Sequence, residues 1–204
     1  MKSLKHILFL FIAAMLLSDC ERDDICSEFT PTTPRLLIEF YDIANQEELK
    51  FAPQLSVYGN DPAFDPPTNE DNSSAILREP FETSRVFNVS VNEVKPPLIV
   101  GPEVGPDGEP VTTTTSYAFE RRTDLRLDND DETSSNVDIV NFTYVTEYVY
   151  VSRACGYKSI FKNLRVEIVD DGDNWILGFR FPDNNITDNI IVENEDATHI
   201  DLLH

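Results

Sequence analysis

Three cysteines, Cys20, Cys26 and Cys155, are the residues of this 204-residue chain whose type and spacing most directly indicate chemistry. In an exported protein a thiol usually forms a disulfide or accepts a covalent modification, whereas in the cytosol it usually stays reduced. Because Cys20 directly follows an N-terminal apolar segment, that segment decides which environment applies.

The first 19 residues have the order of a secretory signal peptide. Lys2 and Lys5 precede an apolar run over residues 7–17, and a polar pair separates that run from Cys20. The run spans about 11 residues, which is shorter than the ~20 that a membrane-spanning helix needs. We therefore predict that residues 1–19 are a lipoprotein signal peptide and that Cys20 becomes the lipid-bearing N-terminus.

Asp19 departs from the small residue that usually precedes a lipid-bearing cysteine, whereas Leu17 and Ser18 fit the positions before it. Two other interpretations stay open. One is an ordinary signal peptide cleaved elsewhere, with Cys20 left as a disulfide partner, and the other is an uncleaved membrane anchor. The length and flanks of the segment favour a removed signal.

If Cys20 carries lipid, Cys26 and Cys155 remain, and an oxidising compartment favours a disulfide between them where geometry permits. The chain lacks the closely paired spacing of zinc ligands. His199 and His204 stand five residues apart, and on a strand that spacing sends them to opposite faces. We therefore predict no metal site, no cofactor and no catalytic thiol.

The acidic composition of the chain limits its partners. The chain has 37 acidic and 16 basic residues and a formal charge of −21. Such a surface repels nucleic-acid phosphates and anionic headgroups, and the longest basic cluster is the pair Arg121-Arg122. We therefore predict no nucleic-acid partner and interpret the charge mainly as a contribution to solubility.

Short segments in which apolar and polar residues alternate dominate the chain after residue 34, as in strands with one buried face. No segment there keeps helical spacing for three turns, and residues 42–49 allow a turn or two of helix at most. The sequence therefore predicts one all-β domain over residues 35–204, an antiparallel β-sandwich of immunoglobulin-like type. The predicted inward-facing sets are Leu36/Ile38/Phe40, Leu55/Val57, Phe87/Val89/Val91, Val166/Ile168, Trp175/Leu177/Phe179/Phe181, Ile190/Val192 and Ile200/Leu202.

Residues 137–151 are the most strand-rich segment, and their apolar phase changes near Thr146-Glu147. A change of phase within a strand predicts either a bulge or a tight hairpin at that point. A lone Trp175 inside an alternating segment is typical of core filling rather than of a ligand platform.

Three segments differ in composition from the strands. Residues 20–34 are charged and then rich in proline, which predicts an extended tether. Residues 59–72 and 92–110 are long loops or insertions rich in proline and acidic residues. Their composition is typical of binding loops on a rigid scaffold, and it equally fits disorder.

Two acidic clusters, beginning at Asp128 and Asp170, are rich in the oxygen ligands that Ca²⁺ prefers. The first begins like an EF-hand loop, but Thr133 replaces the glycine at position six and Ile139 replaces the glutamate at position twelve. The second suits a hairpin turn around Gly172. Solvated turns are favoured for both clusters, with calcium sites as the alternative.

Two segments carry a resemblance to a known family. Residues 21–41, ERDDICSEFTPTTPRLLIEFY, and residues 148–164, YVYVSRACGYKSIFKNL, resemble an uncharacterised bacterial lipoprotein family that is catalogued as a domain of unknown function. Its members place one cysteine before Pro-Thr-Thr-Pro and another within Ser-Arg-Ala-Cys-Gly, which match Cys26 and Cys155. Residues 194–204 are similar to the family's ending. The resemblance implies location and fold but no activity.

In the Gram-negative group where this family occurs, acidic residues just after the lipidated cysteine resemble a signal for export to the cell surface. Glu21, Asp23 and Asp24 match that signal, with Arg22 between them. We therefore expect an exported protein, lipid-anchored in the outer membrane and facing the periplasm or the cell surface.

The absence of a recognised catalytic motif in the sequence favours a non-enzymatic accessory or binding module with an envelope protein or a glycan as partner. We expect that partner to contact residues 59–72, residues 92–110 or the sheet face that they flank. Two alternatives stay open: a glycan hydrolase that uses loop carboxylates on a β-sandwich, and a structural spacer of the envelope.

Overall fold

A computed structural model describes residues 26, 33–60, 86–128, 130, 132–182 and 190–204. These residues form two sheets that enclose one apolar core. The elements are β1 (Ile38–Tyr41), β2 (Ala52–Gly59), β3 (Val86–Val91), β4 (Glu93–Val94), β5 (Thr112–Arg121), α1 (Thr123–Leu127), β6 (Asn136–Ser152), β7 (Gly156–Ile168), β8 (Gly178–Arg180) and β9 (Ile200–Leu203).

The strand order defines a sandwich of a four-stranded sheet, β4-β1-β9-β8, and a five-stranded sheet, β3-β2-β5-β6-β7. All the strand pairs are antiparallel except β1 with β9, which run parallel. The prediction of an all-β, mainly antiparallel sandwich is therefore confirmed. Its immunoglobulin-like character stays a prediction.

Aromatic side chains from both sheets fill the core. Phe40 of β1 and Phe119, Phe142 and Phe161 of the five-stranded sheet are fully buried. Trp175 stacks on Phe40 at 6.1 Å between ring centroids, and its Nε1 donates to the Phe119 carbonyl at 3.0 Å. The predicted core role of Trp175 is therefore confirmed, and each such burial contributes about 1.5–3 kcal/mol.

Strand β3 exists, but its predicted inward face is only partly right, since Val91 packs against the core as predicted and Val89 does not. Val89 is 43% exposed, whereas Val86 and Val91 pack against the core. Asn88 has a left-handed backbone with φ of 50°, and the register between β2 and β3 shifts twice. These irregularities interrupt the two-residue period on which the prediction depended.

The predicted alternation over residues 175–181 is also wrong. Trp175 and Ile176 are both buried, whereas Leu177 is 60% exposed. The Ile176 amide donates to Asp138 Oδ2 at 2.7 Å, and β8 begins only at Gly178. Two adjacent side chains therefore face the core because the backbone there is not a strand.

Strand β6 runs through Thr146-Glu147 without a hairpin, which decides between the two predicted alternatives. The pairing of β6 with β7 shifts register close to that point. Opposite Tyr144, β7 has one extra residue, and Asn163 of β7 has φ of 56°. The face of β6 that carries Tyr144 is buried as far as Thr146. Farther along the same face, Tyr148 and Tyr150 are exposed, and this is why the apolar phase changes.

Residues 42–49 fold as turns rather than as the short helix that the sequence allows. Asp42 Oδ1 accepts from the Ala44 amide at 2.8 Å, and an isolated antiparallel bridge joins Tyr41 to Leu49. The described helix, α1, follows Arg122, whose φ of 60° turns the chain sharply at the end of β5.

Candidate functional site

The β6–β7 hairpin continues past the last residue pair between β5 and β6. That pair is Thr112 with Val145, whereas the pairing of β6 with β7 continues to Ser152 and Gly156. At about 3.3 Å per residue, the seven residues from 146 to 152 extend the hairpin by roughly 20 Å. We call residues 148–158 the hairpin tip.

Three tyrosines give the hairpin tip an exposed aromatic surface. Tyr148, Tyr150 and Tyr157 are 42%, 58% and 68% exposed. The rings of Tyr150 and Tyr157 stand edge to face across the two strands, 5.5 Å apart between centroids. Such a contact stabilises a cross-strand pair by about 0.5–1.5 kcal/mol, so the two rings are held in a defined arrangement.

The hairpin tip is locally basic although the chain is strongly acidic. Residues 148–158 contain Arg153 and Lys158 and no acidic residue, against a formal charge of −21 for the whole chain. Arg153 is exposed, and Lys158 Nζ donates to the Glu193 carbonyl at 2.8 Å. Arg153 therefore presents an exposed positive charge at the turn of the hairpin, whereas Lys158 pairs with Val149 and lies on the face opposite to Tyr150 and Tyr157.

Residues 95–110, which we call the covering segment, lie across the sandwich beside the hairpin tip. The Ile99 amide donates to Thr115 Oγ1 at 3.0 Å, and the Ile99 carbonyl accepts from Tyr144 Oη at 2.6 Å. Its Gly101 carbonyl accepts from Tyr148 Oη at 3.3 Å, which joins the segment to the tip.

A close backbone approach explains the glycine at position 101. A Cβ atom there would lie 1.9 Å from Thr113 Oγ1, which is far inside contact distance. The Gly101 amide also donates to Thr146 Oγ1 at 3.2 Å. The sequence predicts a loop over residues 92–110. In the structure, Glu93–Val94 form strand β4, and the residues around Ile99 and Gly101 pack on the sheets.

The outer side of the covering segment is exposed and partly apolar. Ile99, Val100 and Val104 are 57%, 46% and 54% exposed. A bridge between Val104 and Pro110 closes a turn over residues 103–110. The exposed acidic residues of this turn are Glu103, Asp107 and Glu109.

The predicted disulfide between Cys26 and Cys155 is present, with 4.9 Å between the two Cα atoms. It fixes residue 26 on the hairpin tip. The chain is held again where the Ser159 amide donates to Thr33 Oγ1 at 3.2 Å. In the predicted tether over residues 20–34, only the five residues 21–25 therefore separate Cys20 from the first attachment at Cys26.

Several predicted sites lie outside the described residues. They are the lipidation site Cys20, the acidic residues Glu21, Asp23 and Asp24, and nearly all of the loop over residues 59–72. Those predictions stay predictions.

The two acidic clusters form turns in the described part of the chain. Asp128 Oδ1 accepts from the Asp130 amide at 2.9 Å, directly after α1. Asp170 Oδ1 accepts from the Gly172 amide at 3.0 Å, and Gly172 has φ of 84°, a conformation that suits glycine. Among the described residues, no group of three or more His, Cys, Asp or Glu side chains is arranged to hold a metal ion.

The two histidines do not converge. His199 Nδ1 accepts from the Leu37 amide at 2.9 Å, whereas the His204 ring stands edge to face against Phe40 and Trp175. Burial lowers the pKa of both imidazoles. Both side chains therefore serve the packing of the sandwich.

Two buried aspartates have partners within the chain. Asp138 Oδ2 accepts the Ile176 amide, and Asp201 Oδ2 accepts from Arg180 Nε at 2.8 Å. Burial raises the pKa of both carboxyl groups. A raised pKa in a carboxyl group often accompanies acid–base catalysis, but each of these groups has a structural contact that accounts for its burial.

Sequence reasoning missed the buried ion pair between Glu120 and Arg126. Arg126 Nη2 donates to Glu120 Oε2 at 2.8 Å, Arg126 Nε also bonds to Glu120, and Ser135 Oγ donates to Glu120 Oε1 at 2.6 Å. Glu120 has an outward phase in β5, which predicts exposure. Glu120 is buried because α1 folds back over that face of β5. No local pattern in the sequence predicts this contact.

No family model, curated protein or solved structure matches this chain. Within the described ranges, no helix has both the length and the apolarity that crossing a membrane requires. The hairpin tip, the covering segment and the disulfide are therefore the features of the molecule that bear on its function.

Proposed function

We propose that this chain is a lipid-anchored, non-enzymatic protein of the bacterial outer membrane that acts as an accessory or binding module. The observation that carries the proposal is the disulfide between Cys26 and Cys155. Structural disulfides form and persist in exported proteins, which agrees with the signal-peptide pattern before Cys20. The bond also joins the segment next to the predicted lipid to the hairpin tip.

The covering segment supports the part of the proposal that concerns a partner. Its backbone is fixed by hydrogen bonds to Thr115, Tyr144 and Thr146, whereas Val104 and Ile99 are turned outward. Exposed apolar side chains on a rigid support are typical of contact surfaces. We propose that an envelope protein or a glycan binds the turn over residues 103–110, and that residues 59–72 add to this contact.

The buried carboxylates support a non-enzymatic role. Glu120, Asp138 and Asp201 each bond to a group of the same chain that explains their burial. A glycosidase needs two carboxyl groups that flank the scissile bond, and these three are engaged in holding the sandwich together.

The lipid anchor is tested by labelling cells with a clickable palmitate analogue and comparing the wild type with Cys20→Ala. We expect label and membrane partition in the wild type and loss of both in the variant. Equal labelling and equal partition in the two proteins would contradict the anchor.

The partner is tested by cross-linking in intact cells, followed by mass spectrometry of the proteins and glycans that copurify. Val104→Lys should remove a reproducible partner, because it places a charge in the contact. Val89→Lys is a matched control, since Val89 is similarly exposed but lies on the edge strand β3. Glycan cleavage that one carboxylate-to-amide change abolishes, with no partner captured, would overturn the proposal.

A further inference from the structure

We propose that the hairpin tip docks on the headgroup layer of the bilayer that holds the lipid, so that the domain stands with this end toward the membrane. This inference depends on the proposed anchor at Cys20 and adds a second contact with the same membrane. It commits to phospholipid headgroups as the occupant of the end of the hairpin, where Tyr150 and Tyr157 lie on one face, Lys158 on the other and Arg153 at the turn.

The length of the tether places the tip near the membrane. Five residues lie between Cys20 and Cys26, so six residue-to-residue steps join them, and a fully extended chain spans at most about 3.3–3.6 Å per residue. The tether is therefore at most about 21 Å long. Because Cys26 is bonded to Cys155, the tip is held within this distance of the lipid-bearing residue, whatever path the tether takes.

The chemistry of the tip suits a membrane interface. Tyrosine is enriched at the level of lipid headgroups, because its ring is apolar and its hydroxyl is polar. Tyr150 and Tyr157 present such rings at the end of the hairpin, 58% and 68% exposed. Arg153 at the turn and Lys158 on the other face of the hairpin carry positive charge, and residues 148–158 contain no acidic residue. Basic groups near an anionic lipid surface are attracted to it.

The charge of the remaining surface favours the same orientation. The tip contributes two positive charges to a chain whose formal charge is −21. A membrane with anionic lipids therefore repels the other surfaces and attracts this one, within a Debye length of about 8–10 Å. The acidic turn over residues 103–110 follows Gly101, which bonds to Tyr148 of the tip, and the same repulsion keeps this turn off the lipid and available to a partner.

The far end of the sandwich supplies an internal control. Phe51 is 61% exposed, close to the 68% of Tyr157. It lies near Pro53, whose carbonyl accepts from the Arg122 amide at the end of β5 opposite to the hairpin tip. From Asn136, which pairs with Arg121 at that end, to Tyr150 is roughly 45 Å along β6. A probe at Phe51 therefore stays out of reach of the lipid when the tip is docked.

Fluorescence quenching by brominated lipids tests the docking on the full lipidated chain. Tyr157→Trp and Phe51→Trp are each reconstituted in vesicles of phosphatidylethanolamine and phosphatidylglycerol, with and without dibrominated phosphatidylcholine. The wild type supplies the background, because Trp175 is buried at the far end. We expect brominated lipid to reduce the added emission of Tyr157→Trp, with a shift to shorter wavelength, and to leave that of Phe51→Trp unchanged.

The outcomes separate this inference from the proposed anchor. Vesicle-bound protein without quenching at Tyr157→Trp, or with equal quenching at both positions, overturns the docking and leaves the anchor standing. Protein that does not partition into the vesicles overturns both. Photo-cross-linking from position 157 in cells to a protein, with no quenching in vesicles, would assign the tip to a protein partner and overturn the docking.

Discussion

The two ends of the five-stranded sheet are stabilised in different ways. At the hairpin end, a disulfide joins Cys155 to Cys26, and the tyrosines and Arg153 of the tip remain exposed. At the other end, which we call the helix end, α1 covers a fully buried Glu120 and its partner Arg126. The hairpin end therefore presents aromatic rings and a charge to the surroundings, whereas Glu120 and Arg126 at the helix end are buried and bonded to each other.

This difference predicts which measurements respond to substitution at each end. A buried ion pair contributes to stability only while both partners are present, because either one alone is an uncompensated charge. Exposed side chains that touch few neighbours contribute little to stability. Changes at the helix end should therefore alter the free energy of unfolding, and changes at the hairpin tip should alter binding.

The largest effect is expected for Glu120→Ala. Removing the carboxylate leaves Arg126 buried without its charge partner, which costs about 3–5 kcal/mol. Urea unfolding of the soluble chain from residue 21 onward measures this loss. The matched variant, Glu120→Leu with Arg126→Met, should recover most of it, since apolar replacement of a buried pair is often neutral. A stable single variant would contradict the role of the pair.

The second effect is expected for Cys155→Ser at the hairpin end. Loss of a native disulfide in a small secreted domain costs about 2–5 kcal/mol. Denaturant unfolding should show this decrease, and wild type treated with a reductant should match the variant. Two reactive thiols in the denatured wild type without reductant would show that the bond is absent.

Sequence patterns predict the elements of this molecule better than their faces. Alternation predicts β1, β6, β9 and the last residues of β7. The core role of Trp175 follows from residue type, and the Cys26–Cys155 bond follows from the predicted compartment. The inward faces of β3 and of residues 175–181 do not follow from alternation, because a left-handed Asn88 and the bond from Ile176 to Asp138 break the period.

The candidate site was predictable only in part. The composition of residues 92–110 marks a loop, but their packing depends on hydrogen bonds to side chains of β5 and β6, which are distant in sequence. The burial of Glu120 likewise depends on the path of α1. Both features are tertiary contacts, which local periodicity does not encode.

A smaller effect concerns the pH dependence of stability. Burial lowers the pKa of His199 and His204 below the ordinary value of 6.5, so the folded state favours their neutral forms. This stabilisation is fully present above pH 6.5 and is lost as the pH falls through the lower pKa of the folded state. The free energy of unfolding should therefore depend less steeply on pH below 6.5 in His199→Gln than in the wild type.

The pH dependence of the wild type alone does not isolate His199, because Asp138 and Asp201 change the free energy of unfolding with pH in the opposite direction. Their raised pKa values give stability that is lost as the pH rises through the folded-state pKa. These carboxyl groups are unchanged in His199→Gln, so their contribution cancels in the difference. Identical pH profiles for the two proteins would exclude a contribution from His199.

The smallest effect on stability is expected at the hairpin tip. Tyr157→Ser removes an exposed ring whose described ring contact is with Tyr150, so the free energy of unfolding should change by about 0.5–1.5 kcal/mol at most. The same substitution should weaken contact with vesicles. A loss of stability as large as that of Glu120→Ala would show that the two ends do not differ as described.

One measurement tests the central claim that a lipid and a disulfide hold the hairpin end at the membrane. Membrane-fraction protein is digested with trypsin without reduction and analysed by mass. The account predicts a lipid-modified peptide over residues 20–22, and residues 23–35 joined to residues 154–158 through Cys26 and Cys155. An unmodified N-terminus that begins elsewhere, or the two cysteine peptides recovered separately with free thiols, would contradict it.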